Sequence, residues 1–247
     1  MLEFVKYVEV TVLWRDNNSS LKGVADRVAY EDFRQSEINP LCDVECRDEG
    51  MLDGLQAYIN SIQGGDVFIV LHQMGNHGPA YYKRYPEEFE KFTPVCKTNQ
   101  LESCSKEEID NAYDNAILYT DYFLSKVIDF LEANADEFEA DILYISDHGE
   151  SLGESGVYLH GMPYFIAPQA QTHVPMIMWF GNDLGMAEVD VAELKKNIHE
   201  EYSHDNIFHT LLGLLEVDIS VYDKSMDLLN SHADAELSTP EKIIIYS

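Results

Sequence analysis

The sequence predicts an α/β fold with a mostly parallel central sheet and helices on both faces. Three observations carry that expectation. Short apolar runs, "VFIVL" from Val67 and "ADILYIS" from Ala140, have the length and β-branching of buried strands and alternate with stretches of helical spacing. A chain of 247 residues with 45% apolar content can bury the core that such a fold needs. The turns richest in Gly, His and Asp all follow predicted strands, which is where open parallel sheets gather their ligands.

Taken in order, "VEVTVLW" from Val8 alternates β-branched residues as a strand does and opens into the polar turn "RDNNSS"; Thr11 lies inside it. Met51, Leu55, Tyr58, Ile59 and Ile62 recur at helical spacing, with Gly64 and Gly65 as the stop. "DVFIVLHQ" is the next buried strand. Ser105 to Glu108, "SKEE", has the form of a capping box and opens a long helix whose apolar stripe is Ile109, Tyr113, Ala116, Phe123, Val127 and Phe130. That helix ends near Asn134, before the strand "ADILYISD". "VPMIMWFG" is a fourth strand, and "SHDNIFHTLLGLLEV" is an amphipathic helix capped by Ser203. Residues 1–217 are therefore expected as one domain and 218–247 as an acidic, weakly patterned tail apart from "KIIIYS".

A net charge of −29 repels nucleic acid phosphates and anionic surfaces, and no basic patch offsets it. The apolar runs fall far short of the ~20 residues that a membrane helix needs. The start, "MLEFVKYVEV", has no export-signal pattern. The cysteines come as local couples, Cys42 with Cys46 and Cys96 with Cys104. Each couple is able to close a small loop, with two reduced pairs as the alternative, and neither spacing suits zinc. Disulfides imply an oxidising compartment, and hence a natural beginning upstream of this one.

Four histidines, His72, His77, His148 and His160, fall in glycine-rich turns after predicted strands. Asp147 and His148 supply an oxygen and an imidazole nitrogen, ligand types that zinc accepts in sites open to substrate. A third ligand must come from elsewhere. Glu150 and Glu154 are near enough to serve, although acidic groups in such turns more often support ligands than act as them. Asn18 and Lys22 on the first strand-end turn suit an anionic group such as a phosphate. His173, His199, His204, His209 and His232 read as capping, packing or surface residues.

The stretches "LWRDNNS", "LHQMGNHGPAYYKRYPEEFEKFTPVC", "NAYDNAILYTD" and "SDHGESLGESGVYLHGMPY" closely resemble the soluble domain of bacterial lipid A phosphoethanolamine transferases, within the alkaline phosphatase and sulfatase superfamily. That group includes chromosomal enzymes and the mobile colistin resistance proteins. The similarity runs from about Val8 to the helix after Ser203. It implies a zinc enzyme at the periplasmic face of the inner membrane that moves phosphoethanolamine from phosphatidylethanolamine to a lipid A phosphate. It also implies zinc ligands at Asp147 and His148, substrate-binding positions at Asn18, Lys22, His77 and His160, catalytic roles for the last two, and disulfides at both cysteine couples. The family's threonine nucleophile, a glutamate ligand and its membrane helices match nothing here, so the resemblance implies that they lie upstream. The expectation is then a fragment with little or no turnover alone and with an exposed sheet edge open to self-association. A sulfatase-like or phosphatase-like hydrolase and a nonenzymatic head-group-binding module are the rival readings.

Overall fold

The computed structural model describes residues 10–18, 23–181, 194–217 and 219–229, and the backbone of 242–246. In chain order the elements are β1 (Thr11–Asp16), β2 (Ala29–Asp32), α1 (Leu55–Ser61), β3 (Val67–His72), α2 (Lys106–Glu132), β4 (Glu139–Ile145), β5 (Ser151–Leu152), β6 (Tyr158–Leu159), the single turn α3 (Gln169–Thr172), β7 (Met176–Phe180), α4 (His204–Leu214) and β8 (Lys242–Tyr246). Six strands form one sheet in the order β2-β1-β3-β8-β4-β7. All neighbours run parallel except β7, which lies antiparallel to β4 at one edge. β5 and β6 make a separate two-stranded antiparallel hairpin.

Strand alternation sorts the core onto two faces. Val12, Trp14, Phe68, Val70, Leu143 and Ile145 point to one side, where they meet Ile207, Leu211 and Leu212 of α4. Leu13, Ile69, Leu71 and Ile142 point to the other, against Leu55 and Ile59 of α1 and Phe123, Val127 and Leu131 of α2. Helices therefore cover both faces, as the sequence predicts.

α2 is capped as expected: Ser105 accepts from the Glu108 N–H while the Glu108 side chain accepts from the Ser105 N–H. Its buried stripe includes Ile109, Ala116, Phe123 and Val127, joined by Tyr119 and Leu131, while Tyr113 and Phe130 are partly buried and pack against the core. The helix expected from Met51 is split. A 3-10 turn, Asp48–Leu52, precedes Gly54, whose φ of 66° breaks the path before α1 begins.

α4 starts at Ser203, whose hydroxyl accepts from the Asp205 N–H at 3.2 Å while Asn206 accepts from the Ser203 N–H at 3.0 Å. Replacing Ser203 with alanine is expected to cost about 1 kcal/mol, read as a fall of roughly 2–4 °C in the melting temperature.

Residues beyond 217, expected as a weakly patterned tail apart from "KIIIYS", join the domain in two places. Asn206 donates to the Met226 carbonyl at 2.9 Å, and the Leu228 N–H donates to Thr210 at 3.1 Å. "KIIIY" supplies β8, in the middle of the sheet between β3 and β4. The sheet edges are β2 and β7. Both cysteine couples, Cys42–Cys46 and Cys96–Cys104, are disulfides. Among the described residues no helix is long and apolar enough to cross a membrane.

Candidate metal and phosphate site

The turns after β3 and β4 carry His77 and His148 to the same end of the sheet, and the β5–β6 hairpin delivers His160 beside them. The His148 and His160 rings stack with centroids 3.8 Å apart, and His77 packs edge-on at 5.0 Å from His160 and 5.8 Å from His148. One ligand nitrogen from each of the three lies within 4.8 Å of the others, all partly buried.

The hydrogen bonds decide which nitrogen is free. His77 Nδ1 lies 2.8 Å from the Gly78 carbonyl, His148 Nδ1 3.1 Å from the Gly149 carbonyl, and His160 Nδ1 3.1 Å from a Glu150 carboxylate oxygen. A carbonyl and an ionised carboxylate only accept, so each Nδ1 carries the proton and each Nε2 keeps its lone pair. Imidazoles that bind metal are held in this way, with the second ring nitrogen donating to a carbonyl or carboxylate. Three imidazole nitrogens form a donor set that fits zinc with a position left open.

Glu150 is the joint of the pocket. Its side chain is 4% exposed. Besides His160, it accepts from the Gly78 N–H at 3.0 Å and the Tyr81 hydroxyl at 3.4 Å. Burial, with the charge of Glu150 alongside, pushes the Tyr81 hydroxyl well above its usual range and keeps it a donor. Gly78 has no room for a side chain: a Cβ there would lie 2.6 Å from Leu159. Leu159 itself, next to His160, holds a φ of 63°, a strained value for a branched residue.

Asp147 stays next to His148, its carboxylate 3.7 Å from His148 Nε2, but its side chain is 82% exposed and outside the three-histidine cluster. His77 and His160, expected to handle phosphate, share one pocket with the expected zinc ligand His148. Glu154 lies on the surface, accepting from the Leu152 N–H at 2.7 Å and 3.8 Å from Lys106. Asn18 caps the end of β1: its N–H donates to Asp16 at 2.9 Å and its amide to the Gln73 carbonyl at 3.1 Å. Lys22 lies outside the described residues, as does His232.

His72 does not join the cluster. It pairs with the buried Asp16 at 2.7 Å, and Asp16 also accepts from Tyr30 at 3.0 Å. Burial and this carboxylate push the Tyr30 hydroxyl up to about 12. His204 Nε2 donates to the Ser146 carbonyl at 2.9 Å and so ties the start of α4 to the strand end that carries Asp147. One residue near the site has no counterpart among the sequence expectations: Asp48, which accepts from Asn17, Met74 and Gly75 beneath the His77 turn. Burial raises its carboxyl against the lowering effect of those donors. Nothing in the spacing of "CRDEG" marks it.

Comparison with known proteins shows the family. The sulfatase family profile matches residues 6–217. The chain is 46% identical over 232 residues to the phosphoethanolamine transferase EptA of Salmonella typhimurium, covering 93% of this chain and 42% of that protein. It is 44% identical over 224 residues to the phosphatidylethanolamine transferase Mcr-1 of Escherichia coli, covering 88% and 40%. The crystal structure of the soluble domain of lipooligosaccharide phosphoethanolamine transferase A from Neisseria meningitidis superposes with a TM-score of 0.89 at 42% identity, over 95% of this chain and 71% of that one. The chain thus spans about two fifths of the length of the curated relatives it matches.

Proposed function

The chain belongs to the sulfatase family, and from that premise we propose that its strand-end pocket is the zinc and phosphate site of a phosphoethanolamine transferase. The observation that carries this reading is the convergence of three imidazoles, one ligand nitrogen of each within 4.8 Å of the others, with an acceptor on every Nδ1. The names of the relatives support the group transferred and an acceptor of the lipooligosaccharide kind, which the family resemblance narrows to lipid A. Phosphatidylethanolamine is the proposed donor, as in the name of Mcr-1.

In this account His77, His148 and His160 hold the zinc, and Asp147 stands next to His148 with a carboxylate for it. Zinc bound there supplies Lewis-acid stabilisation of phosphoryl oxygens. Asn18 and Lys22 orient the anionic group of the donor or acceptor. His160, backed by Glu150, keeps its ring fixed while phosphate enters and leaves. The transfer is proposed as two phosphoryl exchanges, first to an enzyme hydroxyl with release of diacylglycerol, then to the lipid A phosphate. The family resemblance assigns that hydroxyl to a threonine. The site works at the periplasmic face of the inner membrane. Each ethanolamine added offsets negative charge on the envelope and lowers the attraction of cationic peptides such as the polymyxins, colistin included.

A chimera tests the proposal. This chain replaces the matching portion of the Salmonella EptA, and lipid A is analysed by mass spectrometry for added phosphoethanolamine. Transfer is expected in the chimera and a fall of about 100-fold with His160→Ala. Transfer undiminished by that substitution would remove His160 from the reaction.

A further inference from the structure

We propose that Asp48 is a positioning residue for His77, and that this buried carboxylate aims the His77 ring into the pocket by anchoring the near side of the turn that carries it. The inference rests on reading the three-histidine pocket as the ligand site.

The turn from β3 to His77 leaves the sheet at His72, and Gly75 within it has a φ of 52°. A turn of this kind exposes successive backbone N–H groups that need an acceptor. Asp48, 4% exposed, supplies it: one oxygen accepts from the Met74 N–H at 2.9 Å and the other from the Gly75 N–H at 3.0 Å. The first oxygen also accepts from the Asn17 amide at 2.8 Å, and that amide donates to the Cys46 carbonyl at 2.9 Å. Asp48 thus joins the end of β1 and the Cys42–Cys46 loop to the His77 turn.

Beyond Gly75 the fixing continues. The His77 N–H donates to the Met74 carbonyl at 3.3 Å, and the His77 carbonyl accepts from Arg84 Nε at 2.5 Å. His77 Nδ1 then donates to Gly78. His77 is thus held on its far side at Gly78, whose N–H donates to Glu150 at 3.0 Å, and on its near side through the two N–H groups bound by Asp48. Removing the carboxylate frees Met74 and Gly75 and lets the ring shift, and a displacement of about 1 Å is enough to spoil a ligand site.

Two readouts test this on the full chain. Nitrogen NMR of the metal-free protein, labelled at histidine, reads the His77 tautomer. The wild type is expected to show the Nδ1–H form, and Asp48→Ala an average of the two tautomers. Zinc titration reads the consequence, with affinity expected to fall about 10-fold to 100-fold. Asp48→Asn, which keeps the shape and one acceptor oxygen, is expected to fall between them and decides the matter should the alanine variant not fold. Leu211→Ala, in the buried core on the opposite side of the sheet, controls for general destabilisation and is expected to leave both readouts unchanged. A folded Asp48 variant with the wild-type tautomer and affinity overturns the proposal. A wild type that binds no zinc overturns the metal reading, and the tautomer still decides the role of Asp48.

Discussion

Glu150→Ala is expected to lower the unfolding free energy by about 3 kcal/mol and the zinc affinity by about 10-fold to 100-fold. The reason is the number of groups that depend on one carboxylate. Gly78 N–H, Tyr81 hydroxyl and His160 Nδ1 all donate to it, in a position only 4% open to solvent. Without Glu150, the Gly78 and Tyr81 donors lose their acceptor, and the desolvation of each goes uncompensated. His160 also loses the bond that fixes its tautomer, which is how a structural loss becomes a loss of metal. Thermal unfolding should show a fall of roughly 6–12 °C. Glu150→Gln separates the two effects. Gly78 and His160 donate to the same carboxylate oxygen, so a glutamine carbonyl in that place accepts from both, while its NH₂ cannot accept from Tyr81; zinc affinity should therefore recover more fully than stability. Unchanged melting and unchanged zinc titration in Glu150→Ala would show that the carboxylate joins nothing of consequence.

The way this site is built decides how much of it was legible in the sequence. Strands and helices announce themselves locally: the alternation in "VTVLW", the branched run "VFIVL" and the capping box at Ser105 are short-range patterns, and the elements formed where those patterns lie. Strand order is a long-range matter. Nothing in "KIIIY" tells that it pairs with both β3 and β4, and nothing in "VPMIMWF" tells that it runs antiparallel. The split before α1 turns on one glycine in a left-handed conformation, at a position where the helical spacing continues unbroken.

The chemistry divides in the same way. The residue types in "SDHGESLGESGVYLHG" were visible as candidate ligands, because His and Asp gathered in a glycine-rich turn at a strand end suit ligand binding better than packing. Which nitrogen faces the pocket was not visible, because two of the three Nδ1 partners are backbone carbonyls that every residue possesses. The outward position of Asp147 and the merging of His77, His148 and His160 depend on how two turns and a hairpin converge. Asp48 carried no signal at all, since its role follows from backbone N–H groups far along the chain.

The central claim is that His77, His148 and His160 together bind zinc, and zinc content tests it most directly. The purified chain and His148→Ala are dialysed exhaustively at neutral pH and their zinc measured by elemental analysis, with circular dichroism confirming that both are folded. The account predicts about one zinc per wild-type chain and less than about a tenth of that in the variant, because removing one of three imidazoles leaves too few protein ligands for a stable site. Equal zinc in the two proteins, or none in the folded wild type, would contradict it.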